Sequence, residues 1–243
     1  FITDSRTLVV VKKGATTGFE IKKNQYAKPQ TVFHLTGTTN DTLLYLLEKH
    51  SPEMIQMIKE GEIQANQKIN KESLLNPKII ENKFHIRLDV PSDFEYAVQK
   101  PRFIWLKKEI VSGSMSLLLY QVPLNTIKTK NPIASIIRMR DSIGKLYIKG
   151  GEAQTPMITG EGYAPYLFKI KLDNRPTFES KGNWELKNDF MSGPFINYVI
   201  FDKEYNRIMV LEGFCYSPAD EKRDVMFELE SIIKSVQIIK RRK

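Results

Sequence analysis

A chain of 243 residues is long enough to bury roughly three quarters of its unfolded surface in one body, or to hold a domain behind a substantial N-terminal extension. Hydrophobic residues at 41% and aromatics at 10% are ordinary for a packed domain, and no stretch approaches the roughly 20 apolar residues that a membrane-spanning helix requires. The formal charge of +9 leans on the terminal run Lys240, Arg241, Arg242 and Lys243; without those four, 33 of the 37 basic residues face 28 acidic ones, a balance of +5. The remainder are scattered in pairs such as Lys12-Lys13, Lys22-Lys23 and Lys107-Lys108, which read as solvated faces rather than a phosphate-tracking stripe, so nucleic acid is not the expected partner.

In chain order, the β-branched run 7–11 reads as a first strand, and 32–35 as another short one. Thr39 or Asn40 caps a helix carrying Leu43, Leu44, Leu46 and Leu47; Ser51-Pro52-Glu53 then restarts a second helix with an N-cap, a proline at its first position and an early acid. That second helix is expected to bury Met54, Ile55, Ile58, Ala65 and Ile69 and to turn Asn66, Gln67, Asn70 and Lys71 to water, ending at Asn76-Pro77.

From Phe84 the period changes to two, with Phe84, Ile86, Leu88 and Val90 on one face, which predicts an amphipathic strand over 84–90. Pro91-Ser92-Asp93 starts a short helical turn, strands follow at 103–107 and 114–122, and 133–147 reads as a helix burying Ile136, Ile137, Met139 or Arg140, Ile143, and Leu146 or Tyr147. Residues 150–165 carry glycines and prolines and read as a long loop, more often functional or mobile than inert. Strands at 166–172 and 184–187 lead into the most strongly patterned stretch, 182–218. There 195–201 and 208–216 form a hairpin across the polar turn 202–206, apolar on both faces and therefore central in a sheet covered on two sides. Residues 217–221 cap a closing helix with Val225, Met226, Leu229, Ile232, Ile233 and Val236 along one side.

Strands and helices that do not alternate one for one predict an α+β fold, a mostly antiparallel sheet flanked by helices, with an N-terminal strand and helical extension. The strands at 84–90, 103–107, 114–122, 195–201 and 208–216 are expected in one sheet. The expected division is 1–80 for the extension, 81–239 for the main domain and 240–243 for a basic tail.

No catalytic constellation survives inspection. The lone Cys215 excludes an internal disulfide and a cysteine zinc site, and its apolar surroundings predict a buried, inert thiol. His34, His50 and His85 sit on different elements without ligand spacing, so neither metal nor cofactor is expected. Ser142 with Lys145, and Ser231 with Lys234, match the spacing of acylating serine enzymes, but the partner signatures are absent and ordinary helix residues explain both. Gly160-Glu161-Gly162 lacks the helix and the Lys-Ser/Thr of a phosphate loop and reads as a turn. Glu161, Glu185, Asp189 and Glu212 are the carboxylates available for acid/base chemistry, should folding bring two together.

Several runs resemble a family of uncharacterised Bacteroidetes lipoproteins, a domain family of unknown function. They are Phe103-Ile104-Trp105-Leu106-Lys107-Lys108-Glu109, Arg140-Asp141-Ser142, Gly182-Asn183-Trp184-Glu185, Asp189-Phe190-Met191-Ser192-Gly193-Pro194-Phe195, Glu212-Gly213-Phe214, Tyr216-Ser217-Pro218 and Lys222-Arg223. The likeness runs from about residue 80 onward. Ser192 stands where a second glycine is expected and Asn183 where a bulkier residue is usual. Residues 84–239 are also similar to the PsbP-like α/β/α sandwich, a fold that serves in binding and assembly. The resemblance implies a sequence upstream of Phe1 with a lipobox, and hence a periplasmic or outer-membrane-attached lipoprotein that meets the membrane only through a lipid anchor.

The expected function is therefore a non-enzymatic, extracytoplasmic binding or assembly protein for an envelope protein or ligand. The alternative is a cell-envelope hydrolase using carboxylates near the 150–165 loop. The expected recognition surface joins that loop, with Glu161 and Tyr163, to the turn after Trp184, with Asp189 and Phe190. The competing reading, and the favoured one, makes Trp184 and Phe190 core anchors pinning the turn, with Asp189 as its backbone cap.

Overall fold

The hairpin within 182–218 is the centre of the sheet. The structure, a computed structural model describing residues 2–150 and 155–240, divides into two compact units, Phe1–Ala65 and Asn66–Lys243. In the first, strands β1 (Thr7–Lys13), β2 (Gly18–Lys23) and β3 (Thr31–Gly37) form a three-stranded sheet in the order β1-β3-β2, with β1 parallel and β2 antiparallel to β3. Phe33, Leu35, Leu46 and Met54 are its buried core, and His50 stacks on Phe19.

Helix α1 (Asn40–Asn70) begins under Thr39, whose Oγ1 accepts the Thr42 N–H at 3.2 Å. The expected break at Pro52 does not occur: the helix is continuous. Proline removes the N–H that the Glu48 carbonyl would accept, and the Ser51 hydroxyl replaces it, donating to Glu48 O at 3.1 Å. The expected stripe is also corrected at its ends, since Ile55 and Ile69 are exposed while Asn70 is buried and donates through Nδ2 to Ser231 Oγ at 3.1 Å. A buried amide with a partner displaces an aliphatic group from that side of the last turn.

The predicted strand over 84–90 is overturned. Residues Lys78–Phe84 form helix α2, His85 takes the left-handed conformation at φ 50 as its C-cap, and only Ile86–Arg87 (β4) is strand. β4 pairs outside the main sheet, with β14 (Gln237–Ile238). Ile86, Leu88 and Val90 are nevertheless buried, so the alternating pattern recorded burial and not pairing. After the turn at Pro91 the chain enters a strand, β5 (Glu95–Lys100), rather than a helical turn.

Among the described residues the main sheet has nine strands. Besides β5 these are β6 (Phe103–Ile110), β7 (Gly113–Val122), β8 (Lys149–Gly150), β9 (Thr155–Thr159), β10 (Tyr166–Leu172), β11 (Arg175–Leu186), β12 (Ser192–Asp202) and β13 (Arg207–Tyr216). The order is β5-β6-β7-β13-β12-β11-β9-β8, with β10 alongside β11, and the pairings are antiparallel. β12 and β13 are thus interior strands buried on both faces, as their apolar runs require. Part of the expected 150–165 loop is strand β9, held against β11 by Trp184↔Thr159; residues 151–154 lie outside the described residues.

Helix α3 (Pro132–Tyr147), capped by Asn131 Oδ1 on the Ala134 N–H at 3.2 Å, packs Ile136 and Met139 on one face of the sheet with Tyr120, Trp184, Phe195 and Val210. On the other face α2 and helix α4 (Arg223–Lys234) bury Ile80, Phe84, Leu229, Ile232 and Ile233 against Leu117, Ile196, Tyr198 and Met209. The second unit is the expected α+β fold, an antiparallel sheet between helix layers. α4 starts after Lys222 without a side-chain cap, later than residues 217–221 predict. The basic tail 240–243 falls, from 241 on, outside the described residues.

Candidate functional site

The cleft beside the β10–β11–β12 corner is built by strand register. Across β11 and β12, Lys181 opposes Ile196 and Glu179 opposes Tyr198, so these four side chains share the face that α4 covers. α4 brings Met226 and Glu230 down on that side, one turn apart. Tyr163, Ala164, Tyr166, Asn183 and Pro194 complete a cleft of about 650 Å³. Gly182 keeps a wall low, because a Cβ there would stand 3.0 Å from the Phe195 ring and 3.1 Å from Pro165.

The polar groups of this cleft are mutually fixed. Lys181 Nζ lies 3.1 Å from Glu230 Oε2 and 3.0 Å from Glu179 Oε1, Lys234 reaches Glu230 Oε1 at 2.7 Å, and the Tyr198 hydroxyl donates to Glu230 Oε1 at 3.1 Å. Burial alone would push the Glu230 carboxyl up, but Lys181 and Lys234 outweigh it and hold the group below its ordinary value. Burial likewise opposes the Lys181 charge, yet Glu230 and Glu179 raise its pKa. Tyr198 is pushed well above the usual phenol range, by burial first and then by the two carboxylates. The wall is an ion-pair network around a phenol that stays neutral.

Tyr163 and Ala164 also border a second cavity of about 440 Å³, lined by Ile137 and Asp141 of α3, Ile158 and Thr159 of β9, Glu161 and Lys187. Thr159 donates through its N–H and Oγ1 to Asp141 Oδ1, at 2.7 and 2.9 Å. Behind it Arg140 of α3, buried against the sheet, donates to Thr159 Oγ1 and to both oxygens of Glu212. Its guanidinium lies 3.4 Å from the Phe195 ring centroid.

The structure sorts the anticipated residues. Tyr163 stands at both cavities and is 87% exposed, and Glu161 lines the second one. Lys187, just past β11, lines the second cavity, and its N–H donates to Pro156 O at 3.0 Å, so the chain enters the turn after β11 beside the start of β9 and not beside the 160–165 segment. Phe190 is 104% exposed at the hairpin tip, so it is no core anchor. Asp189 Oδ1 accepts the Phe190 and Met191 N–H groups at 2.6 and 3.3 Å, the local cap. Trp184 belongs to the core and not to a surface: it is 3% exposed, touches Phe214, and donates Nε1–H to Cys215 O at 3.1 Å. Glu212 is withdrawn from the acid/base candidates by its buried pairing with Arg140, while Glu185 is half-buried on β11. Sequence reasoning missed Tyr166, Lys181 and Glu230. The available signal was Glu230 itself, an acid between Leu229 and Ser231 beside the apolar stripe of α4.

Among the described residues no His, Cys, Asp and Glu cluster could hold a metal ion, and no helix is long and apolar enough to cross a membrane. Fold and cleft together define an α+β sandwich protein with a concave, aromatic-bordered site at one sheet corner. The chain belongs to the family described as a domain of unknown function, DUF4837, whose model matches residues 73–235, in keeping with the resemblance to a family of unknown function. Residues 1–71 match a second domain of unknown function, DUF8532. Nothing among curated proteins matches. Among solved structures the chain is similar to the Ran-binding protein Mog1p of Saccharomyces cerevisiae, at 8% identity and a TM-score of 0.44, over 64% of this chain and 91% of that one. It is also similar to LpqN of Mycobacterium tuberculosis, described as involved in cell envelope biogenesis, at 11% identity and a TM-score of 0.36, over 63% and 83% of the two chains.

Proposed function

We propose that this is a non-enzymatic, extracytoplasmic binding or assembly protein whose ligand or partner segment seats in the cleft beside α4. The observation that carries the reading is the pairing of two solvent-facing tyrosines, Tyr163 and Tyr166, with an apolar cleft whose charged groups already satisfy one another. Such a surface offers contact area and fixed polar anchors, the usual make-up of a recognition site. The envelope location and attachment through a lipid anchor are supported by the family resemblance of the runs beginning at Phe103, Gly182 and Asp189. Neither nucleic acid nor cofactor enters this reading.

Equilibrium binding of the protein to fractionated envelope material tests it, with peptidoglycan fragments, lipids and envelope proteins offered separately. Saturable retention by one fraction, reduced at least tenfold in the Tyr163→Ser, Tyr166→Ser double variant at unchanged melting temperature, is the expected result. Retention indifferent to both tyrosines removes the cleft, and turnover of the retained material would replace binding by the hydrolase alternative.

A further inference from the structure

A different cavity, at the other end of β12, has the opposite chemistry. About 390 Å³ in volume, it opens where the end of α2, the β5–β6 turn, the end of β7 and the β12–β13 turn converge. Its lining carries the cations Lys83, Arg102 and Arg207 and the His85 ring, and among the described residues no carboxylate lines it. We propose that this pocket binds a dianionic phosphate group, that of inorganic phosphate or of a phosphomonoester.

Arg207 is the built element. Its side chain is 8% exposed and donates Nε–H to Asp202 Oδ2 at 2.9 Å, Nη1–H to Gln121 Oε1 at 2.8 Å and Nη2–H to Phe84 O. A guanidinium has five N–H donors, so two remain after these three bonds. The Gln121 oxygen is committed to Arg207, which leaves its amide NH₂ as a further donor at the pocket wall. Lys83 spends one N–H on Lys100 O at 2.7 Å and keeps two, while Arg102 is exposed and has no ion-pair partner among the described residues. Asp202 cancels the Arg207 charge, so Lys83 and Arg102 leave a local excess of two positive charges, which matches a dianion.

Aromatic rings close one side of the pocket. His85 holds φ 50, a conformation uncommon for a residue with a side chain, and its ring stacks on Tyr205 at 5.0 Å, with the Arg207 guanidinium 4.7 Å from the same Tyr205 ring.

Calorimetric titration of the whole chain with inorganic phosphate and with glycerol 3-phosphate, at constant ionic strength in chloride, tests the assignment. Arg102→Ser alters an exposed side chain and Lys83→Ser a half-buried one; each should weaken binding at least tenfold, with the ligand-free melting temperature unchanged in Arg102→Ser. Co-sedimentation with phosphatidylcholine vesicles containing phosphatidic acid separates the sources: lipid binding lost in the same two variants identifies a headgroup, and solution binding alone identifies a soluble phosphate. If neither probe binds above the chloride background, or if both variants bind as the parent does, the proposal fails.

Discussion

Arg140 and Glu212 meet in a bidentate pair at 2.9 and 2.7 Å, each side chain 1% exposed, although 72 residues separate them in the chain. Glu212 also accepts the Asn197 Nδ2–H at 2.7 Å, so α3 is tied to β13 and β12 through one carboxylate. Removing one member strands the other charge in the core, which costs about 3–5 kcal/mol. Arg140→Ala and Glu212→Ala should each lower the unfolding free energy obtained from urea titration by that order. The Arg140→Met, Glu212→Leu double variant should lose much less than the sum, because it abolishes both charges. Additive losses would show that the two side chains act independently.

Trp184 and Asp189 separate the core from the tip of the β11–β12 hairpin. Trp184→Ala removes a buried ring and its bond to Cys215 O and should cost about 3–5 kcal/mol. Gly193 beside it has no room to grow, since a Cβ would stand 2.1 Å from Cys215 O, so Gly193→Ala should be severely destabilising as well. Asp189→Ala gives up two local N–H bonds at an exposed turn and should cost about 1 kcal/mol, while Phe190→Ser should leave the melting temperature in place. A large loss from Phe190→Ser would mean that the tip is anchored by contacts that its exposure denies.

The Cys215 thiol is fully buried, and burial pushes its pKa up to about 11. At neutral pH the thiolate fraction is negligible, and the thiolate is the attacking species. A thiol reagent should therefore label the native protein only at its unfolding rate and label the urea-unfolded chain at once. Rapid labelling under native conditions would contradict the assignment of β13 to the sheet interior.

The cleft's ion pairs set an acid limit on stability. Glu230 titrates lower in the folded chain than in the unfolded one, so its contribution is fully present above the unfolded value of about 4.3 and is lost as pH falls through the folded value. Urea midpoints measured from pH 7 down to pH 3 should drop in that acid window, and Glu230→Gln should flatten part of the drop. A variant with an unaltered acid limb would place the loss on other carboxylates.

The amino-acid sequence determined the elements wherever burial alone dictates pattern. The two-faced apolar runs of 195–201 and 208–216 could only be interior strands, and the stripes of α3 and α4 could only face a sheet. The burial of Cys215 followed from the same run. Pattern failed where two structures bury the same positions: the alternation from Phe84 to Val90 fits a strand, but a helix end, a left-handed histidine and a two-residue bridge bury it equally well. Pro52 misled because its broken bond is replaced by a neighbouring hydroxyl. The sites were legible only in tertiary structure. Lys181 meets Glu230, Arg140 meets Glu212, and Lys83 meets Arg102 and Arg207 through strand order and helix placement, and spacing along the chain carries no record of which strands become neighbours.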